Sequence, residues 1–322
     1  MKMHLLFIVV VYCGTVTALD PKFKTAQQIH QRHKRAFVEK GDCQKMIEKY
    51  GMSMINYGIE DLSNGTEKYE GRFFQSLQSI FMIIQKKRNA TKWTIAESLK
   101  DQYRRSYNIL RRSRDDDLEI SLIQLYSADE IYSDLSAALA QHKCTTKSLS
   151  VNDRALAPYA TALFATILYW KDLMAASKTT YRGIQDIQGD MAIVLKPYKK
   201  GESIVLPQFT SSSDRREVSM ETFLAPGTDK NIFLIIDNSQ DSEWRPKGIS
   251  QFSEYPDESE FLYPPAAKFK VLSDPVKKTV KIGQNSRDER TFYEIKLKLT
   301  GMSLKHKIRK TLRKICPWIK EK

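Results

Sequence analysis

The chain has few histidines, few cysteines and, beyond its N-terminus, no long apolar run, and each shortage excludes something. Its five histidines are scattered and include His30, His33 and His142, so no ligand spacing for a metal centre appears. Its four cysteines show no zinc-finger spacing. No G-x-G-x-x-G follows a candidate strand, which argues against a Rossmann-type redox use of a dinucleotide. No later segment is as long as a membrane-spanning helix, and the C-terminus lacks the apolar tail of a lipid-anchor signal. Acid is also scarce: 38 Asp and Glu stand against 52 Lys and Arg, a net charge of +14. That balance favours acidic partners or anionic surfaces. Without an aromatic-glycine RNA motif, it reads as surface attraction and solubility, and no nucleic-acid partner is expected.

The N-terminus has a clear pattern. Lys2 precedes the apolar run Leu5 to Tyr12, and small residues follow, with Val16 and Ala18 at the positions a signal peptidase reads. Residues 1–18 are therefore expected to be a secretory signal, and the mature chain to be extracellular. Cys13 would leave with the signal, so Cys43, Cys144 and Cys316 remain: one bridge and one free thiol in an oxidising compartment. Cys43 with Cys144 is the expected pair, because the two flank the helical part of the chain. Asn64-Gly65-Thr66 and Asn89-Ala90-Thr91 are sequons open to glycosylation on that route.

The first half reads as helical. Phe73, Phe74, Leu77, Ile80, Phe81 and Ile84 recur at three- and four-residue spacing. Ser127 and Glu130 have capping-box spacing ahead of Ile131, Leu135 and Leu139. A third helix is expected from about Ala157 to Met174, with Pro158 in its first turn. The second half reads as strands: Met191 to Leu195, Ile204 to Pro207, Ile232 to Asp237, Phe261 to Val271 and Thr291 to Leu299. In the last of these, Tyr293, Ile295, Leu297 and Leu299 share one face, and Glu294, Lys296 and Lys298 share the other. Helices first and strands later predict an α+β architecture. The last twenty residues place Leu304, Ile308, Leu312 and Ile315 at helical spacing among Lys305, Lys307, Arg309, Lys310, Arg313 and Lys314. Three readings fit this tail: a helix on an anionic membrane surface, a helix packed on the domain, or a disordered basic tail.

Three local signals in the second half could carry chemistry. Tyr181-Arg182-Gly183 puts a planar guanidinium, which can fork onto phosphate or carboxylate, beside a glycine that admits close backbone approach. Phe209-Thr210-Ser211-Ser212-Ser213 gathers hydroxyls that can orient a carboxylate or a ribose. Glu258-Ser259-Glu260 puts two carboxylates at alternate positions, on one side of an extended chain. One of the pair could serve as a base while the other holds a developing positive charge. Taken singly, each is an ordinary turn, loop or acidic surface.

Their order and spacing resemble the R-S-E signature of the arginine-specific mono-ADP-ribosyltransferase family, the secreted animal ecto-enzymes in particular. Tyr69-Glu70-Gly71, the stretch Leu125-Tyr126 to Ala138, and Phe252-Ser253 through Tyr255-Pro256 to Pro264-Pro265 are similar to further family segments. The likeness runs from about Tyr69 to Leu299. Arg72 stands where animal members commonly have a cysteine, and Ser212 where threonine is usual.

The resemblance implies an ADP-ribosyltransferase fold: two packed, mostly antiparallel sheets forming an NAD cleft, with an N-terminal helical lobe. The domain would span 19–300, with the helical lobe at about 40–175, the β-rich core at about 176–300 and the basic tail at 301–322. The implied reaction splits NAD, releases nicotinamide and transfers ADP-ribose to an arginine of an acceptor protein. NAD is then a consumed substrate, with no other cofactor and no metal. Arg182, Ser211, Glu258 and Glu260 are the implied catalytic residues. Glu260 would stabilise the ribosyl cation, and Glu258 would orient the acceptor guanidinium. Arg182, Gly183, Ser211 and Ser213 would bind NAD, with Tyr255 as a further contact. The runner-up readings are an NAD glycohydrolase of the same fold and a non-enzymatic secreted module that binds membranes through residues 303–322.

Overall fold

The computed structural model describes residues 47, 52–63, 117–127, 129–141, 149–176, 178–185, 187, 189–240, 244–253, 255–282 and 288–302. The signal, Cys43, Cys144, Cys316, both sequons, Tyr69 to Gly71, the periodic run Phe73 to Ile84, the three histidines named above and residues 303–322 of the basic tail lie outside them.

Helices come first: α1 (Ser53–Ser63), α2 (Asp117–Ser127), α3 (Asp129–Gln141) and α4 (Val151–Tyr169). The helical assembly is organised around α4, which is buried from Leu156 to Ile167. Its start is set by Ser150, whose hydroxyl accepts the Asp153 amide at 3.1 Å and donates to the Asp153 carboxylate at 2.6 Å. This cap satisfies the Asp153 amide, which the first turn would otherwise leave open, and the second bond fixes the hydroxyl. The helix therefore begins six residues before the expected Ala157, and Pro158 sits in its interior. It ends at Tyr169, short of the expected Met174. The helix α1 crosses α4 closely at Gly58, where a Cβ would come within 2.4 Å of the Ala157 carbonyl oxygen. Ser127 closes α2, with its hydroxyl donating to the Gln124 carbonyl at 3.0 Å, and the next helix opens at Asp129. Tyr126 accordingly lies inside α2.

The strands follow: β1 (Thr179–Ile184), β2 (Ser203–Leu206), β3 (Thr210–Ser213), β4 (Ile232–Asp237), β5 (Lys247–Gly248), β6 (Glu260–Tyr263), β7 (Ala267–Val271), β8 (Val276–Lys281) and β9 (Glu289–Met302). Two short helices interrupt them, α5 (Met191–Leu195) and α6 (Arg216–Phe223). The expected strand at Met191 to Leu195 is thus a helix. Asp190 caps it by accepting the Ala192 amide at 2.8 Å, and Ile193 stays 70% exposed, so its apolar run reflects no sheet face. The expected strand Phe261 to Val271 is two strands. Pro264 and Pro265 have no amide hydrogen for a ladder, and Ala266 follows with φ 64°.

The hydrogen-bonded order is β2-β7-β9-β4-β1-β3-β6-β5, with β8 on β9. All pairings are antiparallel except β4 with β9. In this order β2 and β3 stand five positions apart, about 24 Å if the sheet were flat. Yet only Pro207, Gln208 and Phe209 separate them in the chain, a reach of at most about 14 Å. The same holds for β7 and β6, separated by Pro264, Pro265 and Ala266. The sheet must therefore curl over itself. The two layers expected from the resemblance are the two halves of this curled sheet, joined between β1 and β3 by one register pair, Tyr181 with Ser213.

Ile184, Ile204, Leu234, Tyr263, Phe269, Ile295, Leu297 and Leu299 belong to a cluster buried inside the curl. The helical core continues onto the sheet through Val205, Phe209, Ile249, Leu262 and Ala266, which brings α2 against β3. A third cluster, including Met220, Leu224, Phe233 and Phe292, seats α6 on the outer side of β1 and β4.

Candidate active site

At the seam between the sheet halves lies a narrow cleft lined by Tyr181, Arg182, Ser211, Ser212, Phe223, Glu258 and Glu260. The structure thus brings Arg182, Ser211, Glu258 and Glu260 together. Gly183 and Ser213 adjoin the cleft without lining it, and Tyr255 stands three residues before Glu258 on the loop.

Each side chain arrives by a different route. Alternation along β1 turns Arg182 inward, opposite Leu234 of β4, and leaves the residue only 1% exposed. Its Nη1 donates to the Ser211 carbonyl at 2.5 Å, and its Nη2 has no hydrogen-bond partner among the described residues. Nearby, burial pushes the Tyr198 phenol well above its usual range, and the Arg182 charge opposes that rise. The guanidinium therefore projects its field into the core of the curl.

Ser211 lies on β3 opposite Leu262, and its hydroxyl stands 3.4 Å from the Tyr126 hydroxyl of α2. Tyr126 packs edge-on against Phe209 at 5.7 Å and Tyr132 at 5.4 Å. The helical part of the chain thereby contacts the cleft wall directly. Ser212 donates to the Phe261 carbonyl at 3.0 Å, and Ser213 accepts the Arg215 amide at 3.1 Å ahead of α6.

Gly183 has a packing reason that the sequence did not disclose. A Cβ there would fall 2.7 Å from the Ser219 and Phe223 carbonyl oxygens and the Phe223 Cβ. Only a residue without a side chain lets α6 lie this close to β1, and that approach puts Phe223 in the cleft wall. No sequence signal marked Phe223, because its place depends on the packing of α6.

The carboxylates are not alternate residues of an extended chain. Glu258 ends a 3₁₀ turn, Pro256–Glu258, and Glu260 opens β6, while Ser259 between them adopts φ 47° and ψ 47°. Both still reach the cleft, with Glu258 7% and Glu260 2% exposed. Among the described residues, two buried acids and one buried guanidinium line the cleft. Such a surface favours a ligand that is, or becomes, positively charged at this point.

Residues 77–291 match the family model described as NAD:arginine ADP-ribosyltransferase. Among solved structures, the chain is similar to the eukaryotic mono-ADP-ribosyltransferase ART2.2 at 19% identity, with 83% of this chain and 92% of that chain covered and a TM-score of 0.41. It is similar to the ADP-ribosyltransferase HopU1 of Pseudomonas syringae pv. tomato at 16% identity, covering 85% and 97%, with a TM-score of 0.41. It is also similar to the ADP-ribosyltransferase Vis, solved in complex with agmatine, at 17% identity, covering 62% and 85%, with a TM-score of 0.38. No curated protein matches the chain.

Proposed function

Because this chain belongs to the NAD:arginine ADP-ribosyltransferase family, we propose that it is a secreted enzyme that transfers ADP-ribose from NAD to an arginine side chain of an acceptor protein. The observation that carries this reading is the convergence of Glu258 and Glu260, both buried, with Arg182 and Ser211 on one narrow cleft.

The chemistry fits that lining. Cleavage of the bond between nicotinamide and ribose releases a neutral ring and leaves positive charge on the sugar, as in glycoside cleavage. The departing ring is already a cation, so no general acid is required. What the reaction needs is fixed negative charge where the cation forms, and Glu260 supplies it in a site shielded from water. The acceptor guanidinium then attacks the sugar carbon through one nitrogen, which sheds a proton. Glu258 orients that guanidinium through the bidentate match of carboxylate to guanidinium and accepts the proton. Arg182 faces the phosphate or ribose portion of NAD with the amino group that Ser211 leaves unpaired. Ser211 positions Glu260 and the ribose, Gly183 and Ser213 support the same wall, and NAD is consumed as substrate.

The test separates the two acids. Purified protein is incubated with labelled NAD, with and without agmatine. Glu260→Gln lowers nicotinamide release by a factor on the order of a hundred or more, the scale of losing a preorganised electrostatic group. Glu258→Gln abolishes label transfer to agmatine and retains NAD hydrolysis. Equal loss of both activities in the Glu258 variant refutes its assigned role. Free ADP-ribose as the sole product of the unmodified protein, with or without agmatine, identifies an NAD glycohydrolase instead.

The basic segment 303–322 adds a second contact, with an anionic membrane surface. Its charge and apolar spacing support this reading. Loss of binding to phosphatidylserine vesicles on truncation after Met302 checks it, and unchanged binding excludes it.

A further inference from the structure

Glu258 and Glu260 line the same cleft, and the one residue between them has an unusual backbone. The φ and ψ of Ser259, both 47°, lie in the left-handed region, where Cβ crowds the backbone and where glycine, asparagine and aspartate are the usual residues. Among the described residues, Ala266 is the one other non-glycine with positive φ. Unfavourable backbone of this kind persists where its surroundings fix it, and it recurs at active sites.

The two sides of Ser259 belong to different elements. Glu260 is anchored: it pairs with Ser213 across β3 and β6, and its carbonyl accepts the Ile249 amide at 2.9 Å and the Ser250 hydroxyl at 3.3 Å. Glu258 belongs to the small turn before it, closed by its own amide donating to the Tyr255 carbonyl at 3.3 Å. A change of φ at Ser259 therefore swings the turn that carries Glu258 and leaves Glu260 in the ladder.

We propose that Ser259 is a positioning residue that sets the choice of acceptor: its left-handed backbone holds Glu258 in the cleft beside Glu260, and relaxing it removes the guanidinium-orienting acid while sparing the cation-stabilising one. The geometry stands by itself, and the role in acceptor choice rests on the function proposed above.

Four full-chain proteins test this: wild type, Ser259→Gly, Ser259→Asn and Ser259→Val. Thermal unfolding reports the backbone. Glycine and asparagine accept positive φ and a β-branched residue does not, so the Gly and Asn variants unfold at or near the wild-type midpoint and the Val variant unfolds lower. Product partition reports the role. In Ser259→Val, transfer to agmatine falls on the order of a hundredfold, the scale of a 1 Å misplacement, while NAD hydrolysis without acceptor stays within a factor of about three. Ser259→Asn transfers like wild type.

A Gly variant less stable than the Val variant overturns the proposal. So does an unchanged transfer-to-hydrolysis ratio in Ser259→Val, or an equal loss of transfer in the Asn and Val variants, which would implicate the hydroxyl instead. Should the wild type release no nicotinamide from NAD, the proposed function falls. The order of midpoints and a crystal structure of Ser259→Val then decide the positioning role. The Glu258 carboxylate swung out of the cleft supports it, and the carboxylate still in place overturns it.

Discussion

Arg182 donates to the main-chain carbonyl of Ser211 at 2.5 Å, across the seam where β1 and β3 share a single register pair. Elsewhere the sheet is closed by ladders: β4 and β9 pair over six residues, and β3 and β6 over four. At this seam a side chain replaces the missing backbone bonds, so one guanidinium both closes the sheet and lines the cleft. Arg182→Lys should therefore damage two properties. A charged hydrogen bond of this kind contributes about 1.5–3 kcal/mol, and an ammonium on a shorter stem does not reproduce the planar fork. Urea unfolding should show a loss of that order, and NAD turnover should fall even at temperatures where the variant is fully folded. A variant with wild-type stability would mean that the seam is held by other contacts.

Gly183 and Phe223 form the second linkage. A Cβ at Gly183 would lie 2.7 Å from two backbone oxygens, which leaves Ala no room unless α6 moves away from β1. Overpacking of this kind costs about 1–3 kcal/mol. Because Phe223 lines the cleft, the shift should also raise the KM for NAD in Gly183→Ala. Unfolding measurements with NAD kinetics at fixed acceptor check both effects. Loss of stability with an unchanged KM would show that the cleft wall does not follow α6.

Much of this arrangement was legible in the sequence where the determinant is local. The alternation of Tyr293, Ile295, Leu297 and Leu299 announces β9, and the order Arg182, Ser211, Glu258, Glu260 announces the set that the fold gathers. What escaped was set either by a cap or by distant packing. The Ser150–Asp153 cap outweighs Pro158 as the start of α4, although serine with aspartate three residues on was a readable signal. Asp190 turns an apolar run into α5. The left-handed Ser259 and the cleft-facing Phe223 depend on tertiary contacts that no window of sequence contains. The curl itself follows from short linkers joining strands that are far apart in the sheet order, which becomes visible only once the pairings are known.

Tyr126 extends the site into the helical core. Its hydroxyl stands 3.4 Å from the Ser211 hydroxyl, at the long end of hydrogen-bond distances, while its ring packs on Phe209 and Tyr132. Tyr126→Phe keeps the ring and removes only the polar contact. It should cost no more than about 0.5–1.5 kcal/mol of stability and lower NAD turnover modestly through a freer Ser211 hydroxyl. Tyr126→Ala removes the packing as well and should cost about 3–5 kcal/mol, the scale of aromatic truncation in a core. Paired unfolding curves separate the two contributions. Equal losses would show that the hydroxyl, and not the ring, holds α2 to β3.

The outer face of the sheet offers a test at a distance from the cleft. Lys270 of β7 lies directly opposite Lys298 of β9, a like-charge pair where opposite charges would stabilise. Lys298 also neighbours Asp237 across the parallel β4–β9 pairing. The Asp237 carboxyl is partly desolvated, which raises its pKa, but Ser239 hydrogen bonds and the Lys298 charge together hold it below the usual range. The two lysines are therefore not equivalent. Lys270→Glu turns a repulsive pair into an attractive one and should stabilise by about 0.2–1 kcal/mol, less at high salt as the surface charges are screened. Lys298→Glu gains Lys270 as a partner but sets two acids side by side with Asp237, so its gain should be smaller or absent. Urea midpoints of both variants at low and high ionic strength check the asymmetry. Equal stabilisation by both would mean that Asp237 draws no benefit from Lys298.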